Sequence, residues 1–151
     1  MQLTRAGDYA VRVMIHLAAA PWGSVVRRGQ IQERQGVPPA HLAKIIQALG
    51  RAKLVRTFRG AGGGVALAVR PEEVNLRQVI EAVEGPIFLN RCLVRAGACP
   101  RDVFCTAHPE WRRIQEVLMR ELDAVTMASL AAPEALTGPA GLQGKGQGAL
   151  S

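Results

Sequence analysis

Four residues able to bind a soft or borderline metal fall within seventeen positions of this chain, as Cys92-x6-Cys99-x5-Cys105-x2-His108, with Pro100 directly after the second cysteine. Thiolate and imidazole are the donors of structural zinc sites and of iron–sulfur clusters. Structural zinc commonly takes cysteine pairs two to four residues apart, so the longer gaps here fit an iron–sulfur cluster better than zinc. Only the deprotonated thiol ligates. Arg91, Arg95 and Arg101 beside the cysteines favour that form and offset a cluster's negative charge, and the start of a helix near Pro109 acts in the same direction. The chain holds three cysteines, an odd number confined to this one stretch, which argues against a disulfide framework. Two other chemistries compete for the same residues. Cysteines buried in a core without a ligand are one, but all three lie together in a segment that also carries Gly and Pro. Cys105 with His108 as nucleophile and base is the other, but it lacks a readable oxyanion-hole or orienting motif, so an enzyme is not expected.

The elements that must position these residues can be read outward from them. Residues 86–108 show no regular period, and an irregular connection of that length inside a small domain usually has a functional reason. Pro109 starts a helix whose stripe, Trp111, Ile114, Leu118, Leu122 and Val125, is expected to run to about Leu130. That stripe is either a dimer seam or a face packed back on its own domain. Before the loop, Asn75 to Val83 reads as a short helix ended by Gly85-Pro86. At the start of the chain, Ala6, Tyr9, Ala10, Val13, Met14 and Leu17 mark one face of a helix capped by Thr4, with Asp8 and Arg12 placed for an i,i+4 ion pair on the other face. Residues 28–35 form a second short helix ending at Gly36. Pro39 then opens a third, which turns Leu42, Ile45, Ile46 and Leu49 inward.

The outward positions of that third helix, after Pro39 itself, are Ala40, His41, Lys44, Gln47 and Arg51: small, polar or basic, as entry into a major groove requires. Leu54–Phe58 and Val65–Val69 read as two strands joined by Arg59-Gly-Ala-Gly-Gly-Gly64. No Gly-Lys-Ser/Thr follows those glycines, so a phosphate loop fits poorly, whereas Arg56 and Arg59 beside a glycine-rich tip suit a narrow minor groove. The predicted fold is therefore mainly α with a small β wing: a winged helix-turn-helix followed by a long C-terminal dimerisation helix.

Charge divides the chain in the same place. Residues 1–70 carry eleven Lys and Arg against two Asp and Glu, a net +9, whereas residues 71–151 carry eight against ten, a net −2. A basic half joined to a near-neutral one is the footprint of a nucleic-acid-binding module on a regulatory or oligomerising segment. We accordingly divide the chain into a DNA-binding region at 1–70, a cluster loop and dimerisation helix at 71–132, and a flexible Gly/Ala/Pro-rich tail at 133–151. At 48% hydrophobic and 21% charged residues, composition is that of an ordinary globular protein. The longest uncharged stretch of the N-terminal half, Val13–Val26, is fourteen residues and falls short of a membrane span. Asp8 and Arg12 interrupt any secretion signal, so a cytoplasmic location is expected.

Together, Met1-Gln-Leu-Thr-Arg-Ala-Gly-Asp-Tyr-Ala10, Ala43-Lys-Ile-Ile-Gln-Ala-Leu-Gly-Arg-Ala-Lys-Leu-Val55, the Arg59–Gly64 turn and the three cysteines resemble the IscR, NsrR and RirA regulators of the Rrf2 superfamily over about residues 1–130. The resemblance implies a bacterial winged-helix transcription factor. It implies a homodimer with crossing C-terminal helices that reads double-stranded DNA at a near-palindromic operator. It also implies a 2Fe-2S or 4Fe-4S cluster on Cys92, Cys99 and Cys105. Two candidates for the fourth ligand come with it: His108, from the IscR-like pattern, and Asp8 of the partner subunit, from some NsrR-like members. The signal it implies is redox state, nitric oxide or the supply of iron or clusters. Two rivals remain beside it: a winged-helix adaptor with a structural metal, and a regulator that uses thiol oxidation without a cluster.

Overall fold

A 15-residue amphipathic helix organises the molecule, whose computed structural model describes residues 3–132. Helix α1 (Arg5–Ala19) starts where the side chain of Thr4 accepts from the Gly7 amide, at 3.3 Å. Its apolar positions recur every three or four residues, so Ala10, Val13, Met14 and Leu17 share one face and are all buried. Helices α2 (Arg28–Gln35) and α3 (Pro39–Arg51) follow, then strands β1 (Val55–Phe58) and β2 (Gly64–Leu67), and helix α4 (Leu76–Glu84). Helix α1 packs against α2, α3, β2 and α4. Glu84, the last residue of α4, accepts from the amide of Thr4 at 2.8 Å and from its hydroxyl at 2.6 Å, which ties the start of the chain to the end of α4.

The two strands pair antiparallel in the register Val55↔Leu67 through Phe58↔Gly64. The wing and its turn lie where the strand-forming runs and the glycines between them place them. Val26, far from the wing in sequence, also joins it, exchanging both backbone hydrogen bonds with Val65 at 2.8 Å. The approach is so close that a Cβ on Gly64 would lie 2.2 Å from the Val26 carbonyl oxygen, so only glycine fits there.

One expectation is corrected. The C-terminal helix, α5 (His108–Ala124), stops well short of Leu130. Val125 and Thr126 are extended and pair with Val74–Asn75: Leu76 donates to the Val125 carbonyl and Met127 to the Val74 carbonyl, both at 2.8 Å. Thr126 then caps a new short helix, α6 (Met127–Ala131), accepting from Ser129 at 3.1 Å. The break is set by Met127, which is fully buried in the core beside Val13, Ile45, Val74 and Val79. A straight helix would carry that side chain away. One apolar core thus runs through residues on both sides of Arg70.

Among the described residues no helix is long and apolar enough to cross a membrane. The expected tail at 133–151 lies outside the described residues. Because α6 folds back into the core, Met127→Ala is expected to cost about 2–5 kcal/mol, the range for truncating a buried methionine. A chemical-denaturation series reading within about 0.5 kcal/mol of the unaltered chain, as for an exposed site, would contradict this packing.

Candidate functional site

The helix-turn-helix is built by local signals. Helix α2 buries only Ile31, and its C-terminus is closed by Gly36 at φ +62°, the left-handed conformation in which glycine carries no Cβ penalty. Val37 is buried in the turn, and Pro38-Pro39 starts α3 where a missing amide hydrogen does no harm. With Leu42, Ile45, Ile46, Ala48 and Leu49 buried, the opposite face of α3 has to meet solvent. Pro39, Ala40, His41, Lys44, Gln47 and Arg51 are all exposed, as are Arg56 and Arg59 on the wing. Helix and wing therefore offer one polar and basic surface, with the exposed N-terminal turn of α3 adding partial positive charge.

Two supports behind this surface had no signal in the sequence. The His41 ring rests beside Tyr9 of α1, centroids 5.7 Å apart and tilted by 51°. Gln35, the last residue of α2, donates from Nε2 to His16 Nδ1 across 3.3 Å, bracing the turn against α1. Burial, and then the charge of Arg34, hold the His16 pKa below its ordinary value.

The cysteine loop is anchored at its start by a side chain of α5 and at its end by running into α5 itself. Gln115 of α5 donates to the Ile87 carbonyl at 2.6 Å and accepts from the Leu89 amide at 2.9 Å. In sequence Gln115 looks like any solvated helical glutamine. Between the anchors only short turns hold the chain: Ala98 to Arg95, Asp102 to Cys99, Phe104 to Arg101 and His108 to Cys105, with the Asp102 carboxylate accepting from Gly97 at 2.9 Å. Val103 and Phe104 are 81% and 87% exposed.

All three cysteines are free thiols; Cys92 and Cys99 are half-buried and Cys105 is exposed. Cys92 and His108 line the same cavity of about 490 Å³ with Asp102 and Arg112, whereas Cys99 and Cys105 do not line it. Arg112 donates to His108 Nε2 at 3.2 Å, and the other ring nitrogen, Nδ1, is buried without a partner. Among the described residues no three His, Cys, Asp or Glu side chains are gathered closely enough to hold a metal ion. Asp8 is engaged elsewhere, in a 2.8 Å ion pair with Arg12. In donor chemistry the set fits an iron–sulfur group: three free thiols, and an imidazole that lines the same cavity as one of them.

Helix α5 is held differently from the rest. It packs on α4 and on the 3-10 turn at Arg91–Leu93, with an Arg77–Asp123 pair at 3.3 Å, and it buries no residue. Trp111, Ile114 and Val117 are 39%, 41% and 37% exposed.

Residues 3–133 match the model of a family described as Rrf2, iron-dependent transcriptional regulator. The chain is 32% identical over 130 residues to the HTH-type transcriptional regulator IscR of Aliivibrio salmonicida, covering 86% of this chain and 77% of that protein. Among solved structures it is similar to CymR, described as the global cysteine regulator of B. subtilis, with a TM-score of 0.69 and 26% identity over 87% of this chain and 96% of that one. It is also similar to T. potens IscR, with a TM-score of 0.68 and 27% identity over 86% and 85% of the two chains.

The brace at His16 carries a pH dependence. Its folded pKa lies below the ordinary value near 6.5, so between the two the unfolded chain binds the extra proton. Stability is therefore fully present above about pH 7 and declines as pH falls through about 6.5. Urea unfolding at several pH values should show this loss in the unaltered chain and a flatter profile in His16→Gln. Parallel profiles would remove His16 as its source.

Proposed function

Because this chain belongs to the Rrf2 family of transcriptional regulators, we propose that it acts as a homodimer. It reads a near-palindromic operator through α3 and the wing, and reports redox state, nitric oxide or iron and cluster supply through an iron–sulfur cluster on its cysteine loop. It is a regulator of transcription and not an enzyme. The DNA-reading role is supported by the exposed set on α3 and the wing and by the +9 net charge of residues 1–70. The dimer is supported by α5, whose half-exposed Trp111, Ile114 and Val117 form an apolar face that a second copy would cover.

The observation that carries the sensing role is the single cavity lined by both Cys92 and His108, in a loop that holds two further free thiols. Cys92, Cys99 and Cys105 would hold the cluster, with His108 or Asp8 of the partner subunit as fourth ligand. The cavity that His108 shares with Cys92 favours the first, since Asp8 would have to leave Arg12. A bound cluster, 2Fe-2S or 4Fe-4S, supplies reactivity toward oxidants and nitric oxide. Gln115 ties the start of the loop to α5, so a rearranged loop shifts the helix that the second subunit covers, and with it the spacing of the two α3 helices. A cluster-free reading in which the thiols are oxidised directly draws support from the likeness to CymR and from the loop's separated cysteines.

Native mass spectrometry of protein purified without oxygen tests the sensing role. A dimer carrying iron and sulfide on each subunit, lost in Cys92→Ala, is the expected result; a zinc adduct would point instead to a structural metal, and a bare dimer would leave the thiol reading. On DNA, Lys44→Ala and Gln47→Ala should cost about 1–3 kcal/mol at particular base pairs, and Arg56→Ala and Arg59→Ala should weaken binding to all sequences and lower the salt slope by about 1 each. Uniform losses for all four variants in a gel-shift panel would defeat that division.

A further inference from the structure

At the base of the wing, away from both the cysteine loop and the glycine tip, lies a small cavity of about 210 Å³ between the turn after α1 and the chain leaving β2. Trp22 and Ser24 line it from one side, and Leu67, Arg70 and Glu72 from the other. The Arg70 guanidinium lies over the Trp22 ring, 5.1 Å from its centroid, a cation–π contact that fixes the charge in place. Among the described residues neither Arg70 nor Glu72 belongs to an ion pair, although both line the same small space. The Ser24 hydroxyl is shielded from solvent and has no hydrogen-bond partner.

A cation and an anion thus line one volume. It is below the roughly 300–1,000 Å³ of pockets for drug-sized ligands and has room for about seven waters at about 30 Å³ each. A simple anion satisfies only Arg70, and a simple amine only Glu72. The smallest class of molecule that answers both carries a carboxylate and an ammonium on neighbouring atoms. We propose that this corner is a binding site for a free α-amino acid. Its carboxylate is taken by the Arg70 fork and its ammonium by the Glu72 carboxylate. Its side chain lies along Trp22 and Leu67, and the cavity volume limits that side chain to a small or medium one. The site is independent of the cysteine loop and of any cluster.

Trp22 reports occupancy directly, because the chain has only two tryptophans. In full-length Trp111→Phe, Trp22 fluorescence is followed while each of the twenty common L-amino acids is titrated in turn to well above about 1 mM, with acetate and methylammonium as single-charge probes. Isothermal titration of the best amino acid into the unaltered chain keeps the result independent of that substitution. The expected outcome is saturable binding of at least one small or medium amino acid, with acetate and methylammonium at least about tenfold weaker. Arg70→Gln and Glu72→Gln, both at exposed positions and so expected to melt as the unaltered chain does, should each weaken it about ten- to a hundredfold. Binding by none of the twenty, acetate binding as tightly as the best amino acid, or unchanged affinity in either variant would overturn the proposal.

Discussion

Helix α1 has one buried face, and the fold is arranged around the competition for it. Ala10, Val13, Met14 and Leu17 are covered by α2 and α3 from the helix-turn-helix and by α4 and α6 from the later part of the chain. Burying four such side chains, at about 25 cal/mol per Å² of apolar surface, outweighs what the short helices supply on their own, since eight- and nine-residue helices are marginal in water. Once those partners are in place no buried face remains for α5, which runs along α4 with no buried residue of its own. The exposed face of α3 and the exposed helix α5 therefore have a common origin: both are what lies outside when the α1 core is full.

Most of this was legible because it is local. Thr4, Gly36, Pro39 and Asn75 act through their own backbone or within three residues, and each appears in the structure at the position its chemistry dictates. The exposed face of α3 follows from its buried one by periodicity alone. The end of α5 was not legible, because Val125 continues the helical stripe and nothing nearby forbids another turn. The competing interaction, the Val74–Asn75 backbone, lies about fifty positions earlier. Val26 joined the wing unannounced for the same reason, its partner Val65 being distant in sequence.

At the cysteine loop the order is reversed: the sequence displays the donor set and the chain leaves it dispersed. Spacing says which atoms are available. Gathering them takes apolar anchors, and between Val94 and Ala107 the large apolar side chains face water. Polar turns of three or four residues hold this segment and do not select one arrangement of the three thiols. Its two ends, fixed by Gln115 and by the first turn of α5, are specified far better than its middle.

Val103 and Phe104, adjacent and almost wholly in solvent at the middle of that loop, set the direction of any rearrangement there. Leaving each uncovered forgoes about 1.5–3 kcal/mol of burial, so an arrangement of the loop that covers the pair is favoured by that much before any contact elsewhere is counted.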